Sequence, residues 1–259
     1  MSARVVALTI APVKGLRALE REELVLGPAG VRENRRFLLI DADSRMVNAK
    51  RLGALQTVVP DYDDAQRTLA LRFADGSVAA GAVEPGRRIA VRFFDSTIAT
   101  AEVLGPFSQA LSEQLGTPLR LVESVAEWGA VDRGREGTMS LISSASIERL
   151  GVAAGAAGPV DARRFRMLVQ VDGVAAHAED GWVGRPLAVG GAVVAPLGHV
   201  GRCVVTKRDP DSGEADLDTL RALASYRSES ETTEPLACGV YGTVLQPGAV
   251  RLGDPVEPA

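Results

Sequence analysis

Short runs of apolar residues, each bounded by glycine, proline or charged turn residues, recur along the whole chain, and this rhythm predicts strands. In the first half they cover residues 5–10, 36–40, 68–73, 88–94 and 119–123 and are rich in Val, Ile and Leu. Ala74-Asp75-Gly76 reads as a hairpin turn after the third run. The period changes once, after Pro106: apolar positions 107, 110, 111 and 115 share one face of a helix predicted over 107–115.

Between 126 and 137 the pattern dissolves into charge and glycine, ending in Asp132-Arg133-Gly134-Arg135-Glu136-Gly137. A domain junction is expected there, dividing the chain into residues 1–125 and 126–259. Beyond it, Ser143 or Ser144 can cap a helix over 145–150 ended by Gly151, and 153–158 is a small-residue loop. Strands follow over 165–171, 187–195, 202–206, 240–245 and 249–252, with one helix over 217–226. Glycine and proline flank nearly every run, which favours a compact barrel over a parallel α/β sheet. The predicted class is mainly β with a few helices (α+β), without internal repeats.

The 259 residues are 46% hydrophobic and 24% charged, enough apolar surface for one large domain or two modest fused ones. A net charge of -4 and a pI near 5.4 argue against nucleic acid as a partner and confine any basic patch to one place. No apolar run is long enough to span a membrane, and the first thirteen residues read as a strand rather than a signal peptide, so a cytoplasmic location is expected. Of the 29 basic residues only Lys14, Lys50 and Lys207 are lysines, so each lysine kept against this arginine bias is a weak functional pointer.

The two cysteines, Cys203 and Cys238, cannot form a disulfide framework, and in a reducing compartment both stay thiols. A lone cysteine on an apolar run is most often a small core residue. Against that reading, Cys203 follows His199 and Arg202, and a cation beside a thiol favours the thiolate needed for metal binding or nucleophilic attack. In a regular strand Arg202 and Cys203 would face opposite sides, so Cys203 is expected at a strand start or a bulge. The only histidines, His177 and His199, are too few and scattered for a zinc site.

Arg202-Cys203-Val204-Val205-Thr206, then Asp209-Pro210-Asp211-Ser212-Gly213, the stretch from Leu220 to Tyr226-Arg227, and Gly253-Asp254-Pro255-Val256 together resemble the MOSC domain, named for the C-terminal part of molybdenum cofactor sulfurases. Arg164-Phe165-Arg166 and Ala178-Glu179-Asp180-Gly181-Trp182 extend the likeness upstream. Pro12-Val13-Lys14-Gly15, Asn34-Arg35-Arg36-Phe37 and Met46-Val47-Asn48-Ala49 resemble the β-barrel domain that commonly precedes it. The pairing is similar to the mitochondrial amidoxime-reducing enzymes and their bacterial relatives. That resemblance implies a molybdenum cofactor whose metal is held by Cys203. It further implies that Lys14, Arg35, Arg166 and Arg202 anchor the pterin and its phosphate, with Asp180 near the metal.

Guanidinium forks suit a dianionic phosphate, and a soft thiolate suits a sulfur-ligated metal. The hydroxyl segment that contacts the phosphate in relatives is not clearly reproduced, and Thr138, Ser140 and Ser143 are the hydroxyls expected to substitute for it. By the same resemblance the substrate is a small N-hydroxylated or N-oxide-type molecule. No flavin, haem or iron-sulfur motif is visible in the sequence, so a separate flavin, haem or iron-sulfur protein is expected to supply electrons. Two departures stand out: Gly15 where relatives often carry serine, and Met167-Leu168 where they often show Pro-Asn. They keep open two alternatives, a metal-free enzyme using Cys203 for sulfur transfer or carbon-sulfur chemistry, and a non-catalytic anion-binding module. Cys238 is read as structural.

Overall fold

Along the first strand, Ala3–Ile10, burial falls on Ala3, Val5, Leu8 and Ile10. The strict alternation is broken once, by a bulge between Val5 and Ala7 that resets which side chains face inward. This strand belongs to a closed seven-stranded barrel. Around its wall follow Val169–Asp172, Met139–Ser143, Ala237–Gln246, Ala192–Gly201, Leu187–Val189 and Pro255–Pro258, which pairs back onto Ala3–Ile10. Apart from Ala3–Ile10, every stave comes from the second half of the chain. The pair Met139–Ser143 and Val169–Asp172 is parallel, and helix α2, Ser144–Ala154, lies in the crossover that such a pair requires. Inside, Val5, Leu8, Leu141, Val171, Val189, Val194 and Val240 are fully buried. Each such side chain stabilises the fold by about 1.5–3 kcal/mol relative to exposure.

The structure, a computed structural model, describes residues 3–125 and 133–259; most of the junction expected at 126–137 lies outside the described residues. In the first half, Met46–Val47, Phe37–Ile40, Arg120–Ser124, Ser96–Leu104 and Glu84–Phe93 form a second sheet. A bridge between Arg45 and Arg92 draws its two edges together. Phe37–Ile40 is buried on both faces, with Leu38 and Ile40 in one apolar cluster and Phe37 and Leu39 in another, which explains its uninterrupted apolar sequence. Helix α1, Phe107–Leu115, seats Phe107 and Leu111 in the second cluster, beside the small sheet of Val59–Asp63, Thr68–Arg72 and Val78–Ala82.

Beyond the stave Ala3–Ile10, further contacts clasp the halves together. Glu23–Leu26 pairs with Gly248–Arg251, and the turn at 209–213 presses on Gly53.

Several elements depart from the sequence expectations, each for a local reason. The strand expected over 202–206 ends at Gly201, and Val204–Lys207 is a 3-10 turn. Thr206 donates both its N–H and its hydroxyl to the Cys203 carbonyl, and its Oγ1 lies 2.6 Å from Thr219 Oγ1; these bonds override the β propensity of Val-Val-Thr. Residues 165–171 begin in another 3-10 turn, Ala162–Phe165, opened by the Asp161 side chain; strand starts only at Val169. The run 187–195 is two strands, folded at Gly190 and Gly191. Helix α2, capped by Ser143, runs through Gly151 and stops at the left-handed Gly155. The third helix, α3, spans Thr219–Arg227, with Asp218 accepting from the Arg221 amide at its start.

Candidate functional site

Where the first-half sheet meets the open end of the barrel lies a cavity of about 410 Å³, a volume suited to a small molecule. The first half contributes Lys14, Gly15, Arg35, Lys50, Phe93 and Phe94; the second half contributes Arg133, Ser140, Arg164, Arg166, Arg202, Cys203 and Tyr241. Among the described lining residues seven are basic and none is acidic, in a chain whose net charge is -4. Arg164 and Arg133 have carboxylate partners outside the lining. Arg164 makes a two-pronged pair with Asp216 at 2.6 Å, and Arg133 pairs with Glu234.

Because the strand stops at Gly201, Arg202 and Cys203 escape the pleat and both border the cavity. Cys203 is partly exposed and opens the turn that follows. Arg202 lies between layers, donating Nε to the Cys238 carbonyl at 2.8 Å and Nη1 to the Phe165 carbonyl at 2.9 Å. Burial pulls its pKa down to about 10; the two cysteine thiols pull the other way, and neighbouring Arg35 and Arg133 lower it further. A bound anion would relieve that strain on the cation.

Backbone conformation singles out the same place. Arg35, Phe94, Arg133 and Arg166, four of the eight described non-glycine residues with positive φ, all line this cavity. Left-handed backbone at such side chains costs roughly 1–2 kcal/mol each and persists where the surroundings fix it, commonly at functional sites. Arg35 is held by its amide to Ala11 at 2.7 Å and by Nη2 to the Arg166 carbonyl at 3.0 Å, so the two arginines are placed relative to each other.

Glu234 is a clamp behind the thiol. It accepts from the Gly201 amide at 2.9 Å and grips Arg133, whose guanidinium lies 4.0 Å above the Tyr241 ring. Burial alone would raise the Glu234 carboxyl, but Arg133 and the Gly201 amide hold it below its ordinary value. Arg133, Lys50, Phe93, Phe94, Tyr241 and Glu234 were not singled out by the sequence reasoning. Only Lys50 carried a signal, as a lysine kept in an arginine-rich chain.

Of the sequence-predicted residues, Lys14, Arg35, Ser140, Arg166, Arg202 and Cys203 meet around the cavity. Ser140 Oγ accepts from the Leu168 amide at 3.0 Å. Thr138 and Asp180 are not among the lining residues. Thr138 is buried, its hydroxyl accepting from the Val244 amide. Asp180 pairs with Arg227 at 2.7 Å and faces His199 Nε2 at 3.7 Å, while His199 Nδ1 accepts from the Thr233 amide. The departures also find causes. Gly15 has φ of +97°, and a Cβ there would sit 3.2 Å from the Asn48 backbone, so a serine would be strained and crowded. Met167 and Leu168 are buried in apolar clusters.

Comparison with known proteins identifies the assembly. The MOSC N-terminal beta barrel domain matches residues 2–116 and the MOSC domain matches residues 129–257. The chain belongs to the MOSC family. Mitochondrial amidoxime-reducing component 1 of Xenopus laevis is 27% identical over 284 aligned positions, covering 96% of this chain and 80% of that protein. Molybdenum cofactor sulfurase of Oryza sativa subsp. japonica is 27% identical across 85% of this chain, which spans only 30% of the sulfurase. Mitochondrial amidoxime reducing component 2 of Homo sapiens is 39% identical over 102 positions, covering 36% of this chain and 29% of that protein. Among solved structures, the YUAD protein of Bacillus subtilis matches with a TM-score of 0.50 at 12% identity, over 99% of this chain and 95% of that one, and so shares the fold.

The two thiols of this MOSC protein differ sharply. Cys238 is wholly buried, and burial pushes its thiol up to about 12. A thiol-titrating reagent at neutral pH should therefore modify Cys203 alone in the folded protein and both cysteines after denaturation. Peptide mapping of the native adduct checks this, and label on Cys238 before unfolding would contradict it.

Proposed function

We propose that this MOSC protein is a molybdenum-cofactor oxidoreductase that reduces small N-hydroxylated or N-oxide-type molecules. The observation that carries the reading is that, among the described residues, seven basic and no acidic side chains line the cavity around one accessible thiol. Among the described residues no group of three or more His, Cys, Asp or Glu side chains could hold a metal ion. A single thiolate is a poor cage for a bare aqueous ion, but it completes the coordination of a metal that arrives already ligated by sulfur. The donor set and the cavity therefore fit a pterin-bound molybdenum with an anionic tail.

Cys203 would hold the metal through Sγ, with Lys14, Arg35 and Arg166 binding the phosphate and Arg202 compensating negative charge from behind. When bound, molybdenum supplies two-electron oxygen-atom exchange with the substrate. The protein's own part is to fix the cofactor's position and present a cationic surface to the substrate. We assign electron delivery to a separate flavin, haem or iron-sulfur protein, because two cysteines cannot ligate a four-cysteine cluster. No helix of the described residues is long and apolar enough to cross a membrane; a cytoplasmic location is part of the proposal.

Protein purified from a cofactor-competent host should contain molybdenum stoichiometric with the chain and release a fluorescent pterin on oxidation. A preparation from such a host with neither would overturn the reading.

A further inference from the structure

We propose that the tip of the hairpin formed by Glu84–Phe93 and Ser96–Leu104 is a recognition site for the non-reacting end of the substrate, and that it selects a planar aromatic compound bearing a carboxylate or similar anionic group. Only the word substrate rests on the proposed reaction; the ligand preference itself rests on the hairpin.

Phe93 pairs with Ser96, so the turn consists of Phe94 and Asp95. A two-residue hairpin turn with positive φ at its first position favours glycine or asparagine. Here φ is +52° at a phenylalanine, an arrangement that turn chemistry does not select. Nor does core packing account for it, since Phe94 is 50% exposed while also lining the cavity.

What surrounds the ring defines its use. Phe93 meets it edge-on, with centroids 5.0 Å apart and an interplanar angle of 75°. Lys50 Nζ lies 5.1 Å from the Phe94 centroid and Lys14 Nζ 5.9 Å. The mouth of the cavity thus offers a flat aromatic surface beside ammonium groups, in an arginine-biased chain that retains only three lysines. Asp95, the other turn residue, is not among the residues lining the cavity, and among the described residues no carboxylate lines it. A cationic ligand is disfavoured by this field, an aliphatic anion forgoes ring-on-ring contact, and a neutral ring forgoes the charge. An aromatic anion satisfies both features, with its far end directed toward Cys203.

The test is calorimetric titration of the purified full-length protein with benzoate, cyclohexanecarboxylate and benzamide, with molybdenum assayed on the same sample. Benzoate should bind more tightly than either analogue by about fivefold, within the range of an aromatic pair's contribution. Phe94→Ala should erase the preference over cyclohexanecarboxylate while Phe94→Tyr retains it, and Lys50→Gln should narrow the preference over benzamide. No ring preference in the wild type, a ring preference that survives Phe94→Ala, or a charge preference untouched by Lys50→Gln overturns the proposal. Missing molybdenum in that sample speaks against the proposed reaction alone, because the titrations need no turnover.

Discussion

Cys203→Ser should abolish molybdenum retention and turnover together while leaving the fold nearly unchanged. Serine offers a hard, neutral hydroxyl in place of a soft thiolate, so on the proposed function the protein would lose its direct bond to the metal. Loss of an outer partner alone typically costs 10–100-fold in metal affinity or activity, and loss of the ligand itself should exceed about 100-fold. Cys203 is only partly buried, so the substitution should shift stability by no more than about 0.5 kcal/mol. The matched control is Cys238→Ala, which removes a wholly buried sulfur and should cost about 1 kcal/mol of stability without loss of activity. Metal analysis, turnover and thermal unfolding of the two variants should therefore separate cleanly. A Cys203→Ser protein that keeps its molybdenum would remove the thiol from the mechanism.

How much of this site could be read beforehand differs residue by residue. The short apolar runs and their turn residues were enough for a mainly β protein, and α1 spans Phe107–Leu115 because its apolar spacing has no competing partner. Local signals failed where tertiary bonds took over. Val204-Val205-Thr206 has the composition of a strand, yet Thr206 spends its hydroxyl on Cys203 and Thr219, and that same turn frees Cys203 from the pleat. Resemblance brought Lys14, Arg35, Arg166 and Arg202 together across more than 180 residues, something no periodicity could do. It also implied Asp180 as a neighbour of the metal; in the structure that carboxylate pairs with Arg227 and is not among the residues lining the cavity. Phe94 and Glu234 carried no signal, because a hairpin tip lining a cavity and a clamp joining Gly201 to Arg133 become visible only in the folded chain.

The sequence Asp209-Pro210-Asp211-Ser212-Gly213 illustrates how a motif that marks the family can serve the site indirectly. Gly213→Ala should lower stability by roughly 3–4 kcal/mol, a fall in Tm of roughly 6–16 °C for a chain of this size. The reason is steric and one-sided. Gly213 has φ of +73°, and a Cβ would lie 2.1 Å from the Gly53 carbonyl oxygen and 2.5 Å from its carbon, both rigid backbone atoms. The turn must then lift off the first half. It is otherwise stiff, since Asp209 Oδ1 accepts from the amides of Asp211 and Ser212 at 3.0 and 2.8 Å.

Lifting the turn pulls Asp211 away from Arg17 at 3.0 Å and Arg163 at 2.8 Å. Arg163 sits in the 3-10 turn that leads directly to Arg166 on the cavity wall, so retention of an anionic ligand should fall as well. Acid supplies an independent check. Amides hold Asp209 below its ordinary value of 3.8, and Arg163 does the same for Asp211. A depressed folded-state pKa gives stability that is present above 3.8 and lost as the pH falls through the lower folded value. Because the Asp211 share requires the docked turn, Gly213→Ala should lose less of its Tm on acidification below 3.8 than the wild type does. Equal acid sensitivity in the two proteins would mean that the turn stays seated on Gly53 and that strain in the left-handed residue accounts for the whole loss.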